Sequence, residues 1–141
     1  MHELSRQFKI CASCELETAM RPLLLMLAAF TLPASAQEMT GAEVYDLTCR
    51  ECHSSGKLNA PKLGDLRSWK KLLREGLDDL VPAALSGIRH MPAKGGNPAL
   101  SDLEVARAVV FMANAGGGKF GQPTPAKVEQ WRKKADAKPR P

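Results

Sequence analysis

Two cysteines separated by two residues and followed directly by a histidine form the most informative motif of this 141-residue sequence. The residues are Cys49, Cys52 and His53. Thiols at this spacing can each add across one vinyl group of a haem, and the adjacent imidazole can then bind the iron from the same side. The motif therefore predicts one covalently attached haem c, with Cys49 and Cys52 as the thioether residues and His53 as an iron ligand.

The second axial position of the iron needs a donor from elsewhere in the chain, and Met91 is the best candidate. It is followed by Pro92, which stiffens the backbone, and by the Gly95-Gly96 pair, which permits a close turn. A thioether is a soft ligand that favours ferrous iron, so ligation by His53 and Met91 would raise the reduction potential. Two alternatives stay open, because methionine is more commonly core filler and the neighbouring His90 could ligate instead.

Two further residues are candidates for supporting the haem. A metal-bound imidazole usually donates its other N–H to a fixed acceptor, and the Pro61 carbonyl, in a constrained turn after the motif, is a suitable one. Trp69 could pack on the macrocycle and donate its indole N–H to a propionate. Plain core packing is an equal alternative for Trp69.

The composition predicts one small globular domain with flanking segments, since 44% of the residues are hydrophobic and 25% are charged. The formal net charge of +5 is concentrated in residues 116–141, which contain seven basic and two acidic residues. Residues 37–115 contain ten of each sign. The domain itself therefore has no charge excess that would indicate nucleic-acid binding.

The N-terminal third has the pattern of an export signal. Met20-Arg21 precedes an apolar run that ends at Leu32, and Ala34-Ser35-Ala36 follows. This pattern predicts a secretory signal peptide over residues 20–36 with cleavage after Ala36. An uncleaved membrane anchor is the alternative, although the run is shorter than the roughly 20 apolar residues of a spanning helix. Export would place the protein in the periplasm of a Gram-negative cell, outside the cytoplasm, where haem c is attached.

Residues 1–19 precede a complete signal peptide and are predicted to be a misassigned extension, with translation starting at Met20. Cys11 and Cys14 lie there at the same spacing as the main pair, but Glu15 replaces the histidine. The pair therefore lacks the iron ligand, and chance spacing is its simplest interpretation.

Four helices are predicted in the domain, and no strand-like alternation is visible. Capping boxes at Thr40/Glu43 and Ser101/Glu104 mark two of the starts, and Asp65 marks another. The predicted helices span residues 41–50, 66–75, 79–86 and 102–114, the third capped by Asp78-Asp79 with Pro82 in its first turn.

The segment 116–141 is rich in glycine, proline and lysine and is predicted to be a basic, flexible tail. A transient basic helix from Lys127 to Ala137, or docking of the tail to an acidic partner, is the alternative.

The ordered series of motifs resembles the small bacterial class I monohaem cytochromes c, most closely the cytochrome c5 type. The resemblance covers about residues 38–114. It is carried by Gly41-x-x-Val44-Tyr45, Cys49-x-x-Cys52-His53, Ala60-Pro61-Lys62-Leu63-Gly64-Asp65, Trp69, Gly76-Leu77-Asp78, Met91-Pro92-Ala93-Lys94-Gly95-Gly96 and Leu100-Ser101-Asp102-x-Glu104-Val105. It implies an all-α fold of about four helices wrapped around one covalent haem c, with His53 and Met91 as ligands. The extra cysteine pair of many members is missing from Asn97-Pro98-Ala99-Leu100, so their disulfide cannot form.

The resemblance implies a periplasmic electron carrier of a respiratory chain, not an enzyme. A quinol-oxidising complex or a dehydrogenase would be the electron donor, and an oxidase or a reductase the acceptor. Lys57, Lys62 and Lys94 could rim the haem edge and orient acidic partners, or they could be ordinary solvated lysines. The alternatives are a haem sensor, a peroxidase-like domain and a tethered haem subunit of a larger redox complex.

Overall fold

The structure, a computed structural model, describes residues 37–137. The predicted signal peptide and the 1–19 extension lie outside these residues. Within the described range the fold is all-helical, as expected, and the only strand-type pairing is an isolated bridge between Ile88 and Met91. The α-helices of this range are α1 (Gly41–Val44), α2 (Arg50–His53), α3 (Leu66–Glu75), α4 (Leu77–Ser86), α5 (Asp102–Ala115) and α6 (Pro125–Ala137), with short 3-10 turns at Lys57–Asn59 and Ala93–Gly96.

Both predicted capping boxes are present. The Thr40 hydroxyl accepts the Glu43 N–H at 3.3 Å, and the Glu43 carboxylate accepts the Thr40 N–H at 2.7 Å. Ser101 and Glu104 make the same reciprocal pair at the start of α5. The buried Glu104 also accepts the Met39 N–H at 3.0 Å. The backbone hydrogen bonds from Ser101 and Met39 hold the pKa of Glu104 below its usual value, so its charge is part of the native packing.

The first helix departs from its predicted form. A π-helical turn at Tyr45–Cys49 joins α1 to α2, and the helical path continues to His53 instead of ending near residue 50. A π turn holds more residues than an α turn and is frequent at functional sites. Its buried Tyr45 packs on Phe111 with a ring-centroid separation of 5.7 Å. Cys49 therefore ends the π turn, while Cys52 and His53 lie on the α-helical turn that follows.

The helices α1 and α5 cross at close range. A Cβ added at Gly41 would lie 2.3 Å from the carbonyl oxygen of Arg107, so only glycine permits this approach. The crossing buries Val44 and Val110 completely, together with Val81 and Leu85 of α4. These side chains form the centre of the core, and the haem-binding motif extends from its edge.

The helix α4 begins two residues earlier than predicted, at Leu77 after Gly76. Pro82 is therefore not in the first turn but in the helix interior, where it cannot donate to the carbonyl of Asp78. That carbonyl instead accepts the Lys134 ammonium at 2.7 Å. A side chain from α6 thus satisfies the group that Pro82 leaves without a helical partner.

The prediction of a flexible tail is wrong for residues 125–137. They form α6, which packs on α4 and α5 and buries Val128, Trp131 and Ala135. The Trp131 indole donates to the Asp78 carboxylate at 2.6 Å. Val128, Trp131 and Ala135 lie on one face of α6. This face packs against the domain core, although the segment as a whole is basic. No helix among residues 37–137 combines the length and apolar character that crossing a bilayer requires.

Candidate haem-binding site

Cys49 and Cys52, the two cysteines of the motif, are both partly buried. Before haem attachment, burial raises the pKa of the Cys49 thiol to about 11. The residues between them are exposed, and Glu51 pairs with Lys57 at 2.7 Å in solvent. The helix therefore directs its charged residues outward and the Cys49 thiol toward an apolar environment.

The imidazole of His53 is held in one orientation. His53 is buried, and its Nδ1 lies 2.8 Å from the Pro61 carbonyl oxygen. A carbonyl oxygen can only accept, so Nδ1 must carry the proton of a neutral imidazole. The Nε2 lone pair is then free for a metal, which is the tautomer that a histidine ligand needs. The expected contact between His53 and Pro61 is thus present.

The segment that carries Pro61 is fixed by two further hydrogen bonds. The Leu63 N–H donates to the His53 carbonyl at 2.8 Å. The indole N–H of the buried Trp69 donates to the Lys62 carbonyl at 2.8 Å. The sequence suggested a haem propionate as the acceptor of this N–H, whereas the acceptor in the structure is a backbone carbonyl. In this structure Trp69 supports the segment that orients His53.

Met91 lies in a tight turn that backbone contacts define. Ile88 and Met91 exchange two backbone hydrogen bonds, each 2.9 Å long. Gly87 has a φ of +81°, and a Cβ there would lie 2.9 Å from both the Met91 oxygen and the Ala93 nitrogen. Met91 is partly buried and packs against the main core cluster, whereas His90 is exposed. The turn therefore directs Met91, and not His90, toward the interior.

The Met91 loop, residues 87–101, packs against the helix that bears the cysteines. The Asn97 amide donates to the Thr48 hydroxyl at 3.3 Å, and a Cβ at Gly95 would lie 3.0 Å from the Thr48 methyl group. Cys49 and Met91 also pack against the same buried cluster. The fold thus brings the thiol segment and the methionine segment together.

The three lysines proposed to rim the haem edge differ in the structure. Lys62 is exposed, and Lys57 is paired with Glu51. Lys94 turns inward, donating to the Leu100 carbonyl at 2.6 Å and lying 3.1 Å from the Asp102 carboxylate. It is therefore an internal anchor of the Met91 loop and not a free rim cation. Sequence analysis did not identify this role, because the charged partner of Lys94, Asp102, lies outside the loop.

The donor set fits a haem c. It combines two thiols, an imidazole with a free Nε2 and a thioether, and the described residues contain no competing cluster of three or more His, Cys, Asp or Glu side chains. Leu58 and Leu66, on the segment after His53, are 58% and 62% exposed. Such large apolar side chains suit contact with a macrocycle. Two surface depressions, next to Phe111 and next to Phe120, contain none of these donors and are not candidate haem sites.

Comparisons with known proteins agree with this site. The family model described as cytochrome c oxidase, cbb3-type, subunit III matches residues 36–112. Cytochrome c-555 of Prosthecochloris aestuarii is 40% identical over 82 residues, which cover 52% of this chain and 83% of that protein. Cytochrome c5 of Azotobacter vinelandii is 42% identical over 76 residues, which cover 52% of this chain and 92% of that protein.

A solved structure is also similar. It is described as the crystal structure of an electron transfer complex of nitrite reductase with cytochrome c. The matching chain has a TM-score of 0.53 and 38% identity, with coverage of 57% of this chain and 99% of that chain. The sequence relatives are electron-transfer proteins and not enzymes. The family match spans more than half of the chain and includes the whole donor set, so the chain belongs to the class I monohaem cytochromes c of the cytochrome c5 type, electron carriers with a covalently bound haem c.

Proposed function

We propose that this chain is a periplasmic shuttle for single electrons, with His53 and Met91 as the axial ligands of its haem iron. The observation that carries the proposal is the 2.8 Å contact of His53 Nδ1 with the Pro61 carbonyl, which leaves Nε2 free for the metal. The bound haem supplies the one-electron change between Fe(II) and Fe(III). The protein residues hold that centre in one geometry.

Each residue of the site has a separate task. Cys49 and Cys52 attach the macrocycle through thioether bonds. His53 presents Nε2, and its hydrogen bond to Pro61 prevents the ring from rotating and strengthens it as a donor. Met91 would supply the second protein ligand of the iron, a soft thioether that would raise the reduction potential and would leave no coordination site for a substrate. This arrangement favours electron transfer over peroxidase chemistry.

The partners are other redox proteins. The structural neighbour that is solved with nitrite reductase supports a protein acceptor of this class. A quinol-oxidising complex or dehydrogenase would supply the electrons, and an oxidase or reductase would receive them. The proposal includes export by the 20–36 signal peptide, cleavage after Ala36 and a translation start at Met20. The mass of the exported chain tests export and cleavage, and the mass of the uncleaved precursor tests the translation start.

Redox titration of the exported, haem-loaded protein tests the shuttle. A one-electron carrier gives a Nernst slope of about 59 mV per decade, and the reduced protein gives no turnover with hydrogen peroxide. Mass spectrometry should find one haem per chain. The Cys52→Ser variant serves as the attachment control, because it leaves one thioether position instead of two. Multi-electron behaviour or peroxidase turnover would overturn the shuttle function.

A tethered haem subunit of a larger redox complex is the second candidate. The description of the matching family model as an oxidase subunit favours it. In the structure, however, α6 packs on α4 and α5 of its own domain, so its buried face is not available to another subunit. Native gel electrophoresis of detergent-treated membranes separates the two functions. Haem-stained protein at the mass of the free chain supports the shuttle, whereas stable comigration with an oxidase supports the subunit.

A further inference from the structure

We propose that Arg132 of α6 is a positioning residue for the methionine ligand, acting through Asp102 and Lys94 on the Met91 loop. The inference rests on the proposed ligation by Met91. It gives the C-terminal helix a role in tuning the iron site, although that helix contributes no ligand itself.

The first link joins α6 to the start of α5. Arg132 binds both carboxylate oxygens of Asp102, with Nε to Oδ2 and Nη2 to Oδ1 each at 2.6 Å. Such two-point pairs between arginine and carboxylate are short, directional and stronger than single contacts. The side chains are only 30% and 26% exposed, so water screens the pair weakly. The Arg132 hydrogen bond is the main cause that holds the pKa of Asp102 below its usual value.

The second link joins Asp102 to the Met91 loop. Lys94 lies 3.1 Å from the same carboxylate and donates to the Leu100 carbonyl at 2.6 Å. Its backbone φ is +52°, a conformation that non-glycine residues adopt only when their surroundings enforce it. Lys94 follows Met91 by three residues, and the Gly95 N–H closes a turn onto the Pro92 carbonyl at 3.0 Å. Loss of the Asp102 anchor would therefore relax the turn that holds Met91.

The helix α6 has a second, independent attachment. Trp131, Lys127 and Lys134 all bind Asp78 or its neighbour Asp79 on α4. Removal of Arg132 should therefore leave α6 docked, while leaving the Asp102 carboxylate held by Lys94 alone. A matched control is available, because Lys134→Gln weakens the attachment of α6 without touching Asp102.

Displacement of the methionine by imidazole in the ferric, haem-loaded full chain tests the inference. If Arg132→Gln increases the fraction of molecules with Met91 dissociated, the apparent imidazole affinity rises by the same factor, about three- to tenfold. Arg132→Lys should restore part of the wild-type affinity, because one contact to Asp102 remains possible. Lys134→Gln should bind imidazole like the wild type.

The possible results separate a failure of the Arg132 inference from a failure of the proposed Met91 ligation. Wild-type affinity in both Arg132→Gln and Asp102→Asn would overturn the inference while leaving Met91 ligation intact. An equal increase in Lys134→Gln would also overturn it, because the effect would then follow general loosening of α6. If Arg132→Gln does not fold, Arg132→Lys and Asp102→Asn provide the same comparison. A wild-type ferric spectrum without the methionine–iron charge-transfer band would refute the proposed ligation itself.

Discussion

Replacement of Gly87 by alanine should weaken the proposed bond between Met91 and the haem iron as well as the fold. Gly87 has a φ of +81° and a ψ of 157°, a backbone region essentially restricted to glycine, where an L-residue costs about 1–3 kcal/mol. The added Cβ would also lie 2.9 Å from the Met91 oxygen and from the Ala93 nitrogen, which are backbone atoms that cannot swing away. Overpacking of this kind costs typically about 1–3 kcal/mol. The total expected loss of unfolding free energy is about 2–6 kcal/mol.

Gly76 provides the matched control for the same substitution. Its φ of +75° and ψ of 174° lie in the same backbone region as those of Gly87, but a Cβ there would meet no heavy atom within 4 Å. Gly76→Ala should therefore show only the backbone cost, about 1–3 kcal/mol. The difference in unfolding free energy between the two variants measures the cost of the steric contact between the added Cβ and the Met91 loop.

Denaturant unfolding and the ferric absorption spectrum measure the two consequences. Gly87→Ala should lose more stability than Gly76→Ala, and it alone should lose intensity in the methionine–iron charge-transfer band. Equal stability losses and unchanged bands in the two variants would refute the argument that Gly87 shapes the Met91 turn.

Three further predictions concern the groups that support the site. Trp69→Phe should cost about 1 kcal/mol in denaturant unfolding, because the Lys62 carbonyl loses its donor; unchanged stability would contradict its supporting role. Trp131→Phe should cost about 1–2 kcal/mol through the lost bond to Asp78, and a chain in which α6 is not docked would show no loss. Hydrogen bonds lower the pKa of Glu104, so its stabilisation is complete above the unfolded value of about 4.3 and is lost as pH falls through the folded value. The stability of Glu104→Gln should therefore depend less on pH in acid than that of the wild type, as measured by thermal unfolding; identical pH profiles would contradict this.

Short-range sequence signals were sufficient to predict the starts of most of the longer helices in the domain. The capping boxes at Thr40 and Ser101 and the cap at Asp65 depend on neighbours within three residues, so sequence predicts the starts of α1, α3 and α5 directly. The cysteine–histidine motif and the Pro61 turn are similarly short-range. Met91 could be proposed as a ligand because its loop chemistry could be interpreted once the motif had implied an iron.

The features that sequence analysis missed depend on distant partners. The docking of α6 requires Asp78 and Asp102, which lie 53 residues from Trp131 and 30 residues from Arg132 in the sequence. The apolar positions Val128, Trp131 and Ala135 recur at helical spacing and could have indicated a buried face, but the surrounding charges suggested a solvated segment. The π turn before Cys49 has no sequence signal of comparable strength.

The far-red absorption of the ferric, haem-loaded protein reports directly on the second ligand of the iron. Ligation by His53 and Met91 predicts a methionine–iron charge-transfer band that persists in His90→Ala and disappears in Met91→Ala. A wild-type spectrum with no such band and with high-spin features would contradict ligation by His53 and Met91, and with it the assignment of this chain as an electron shuttle with a closed iron site.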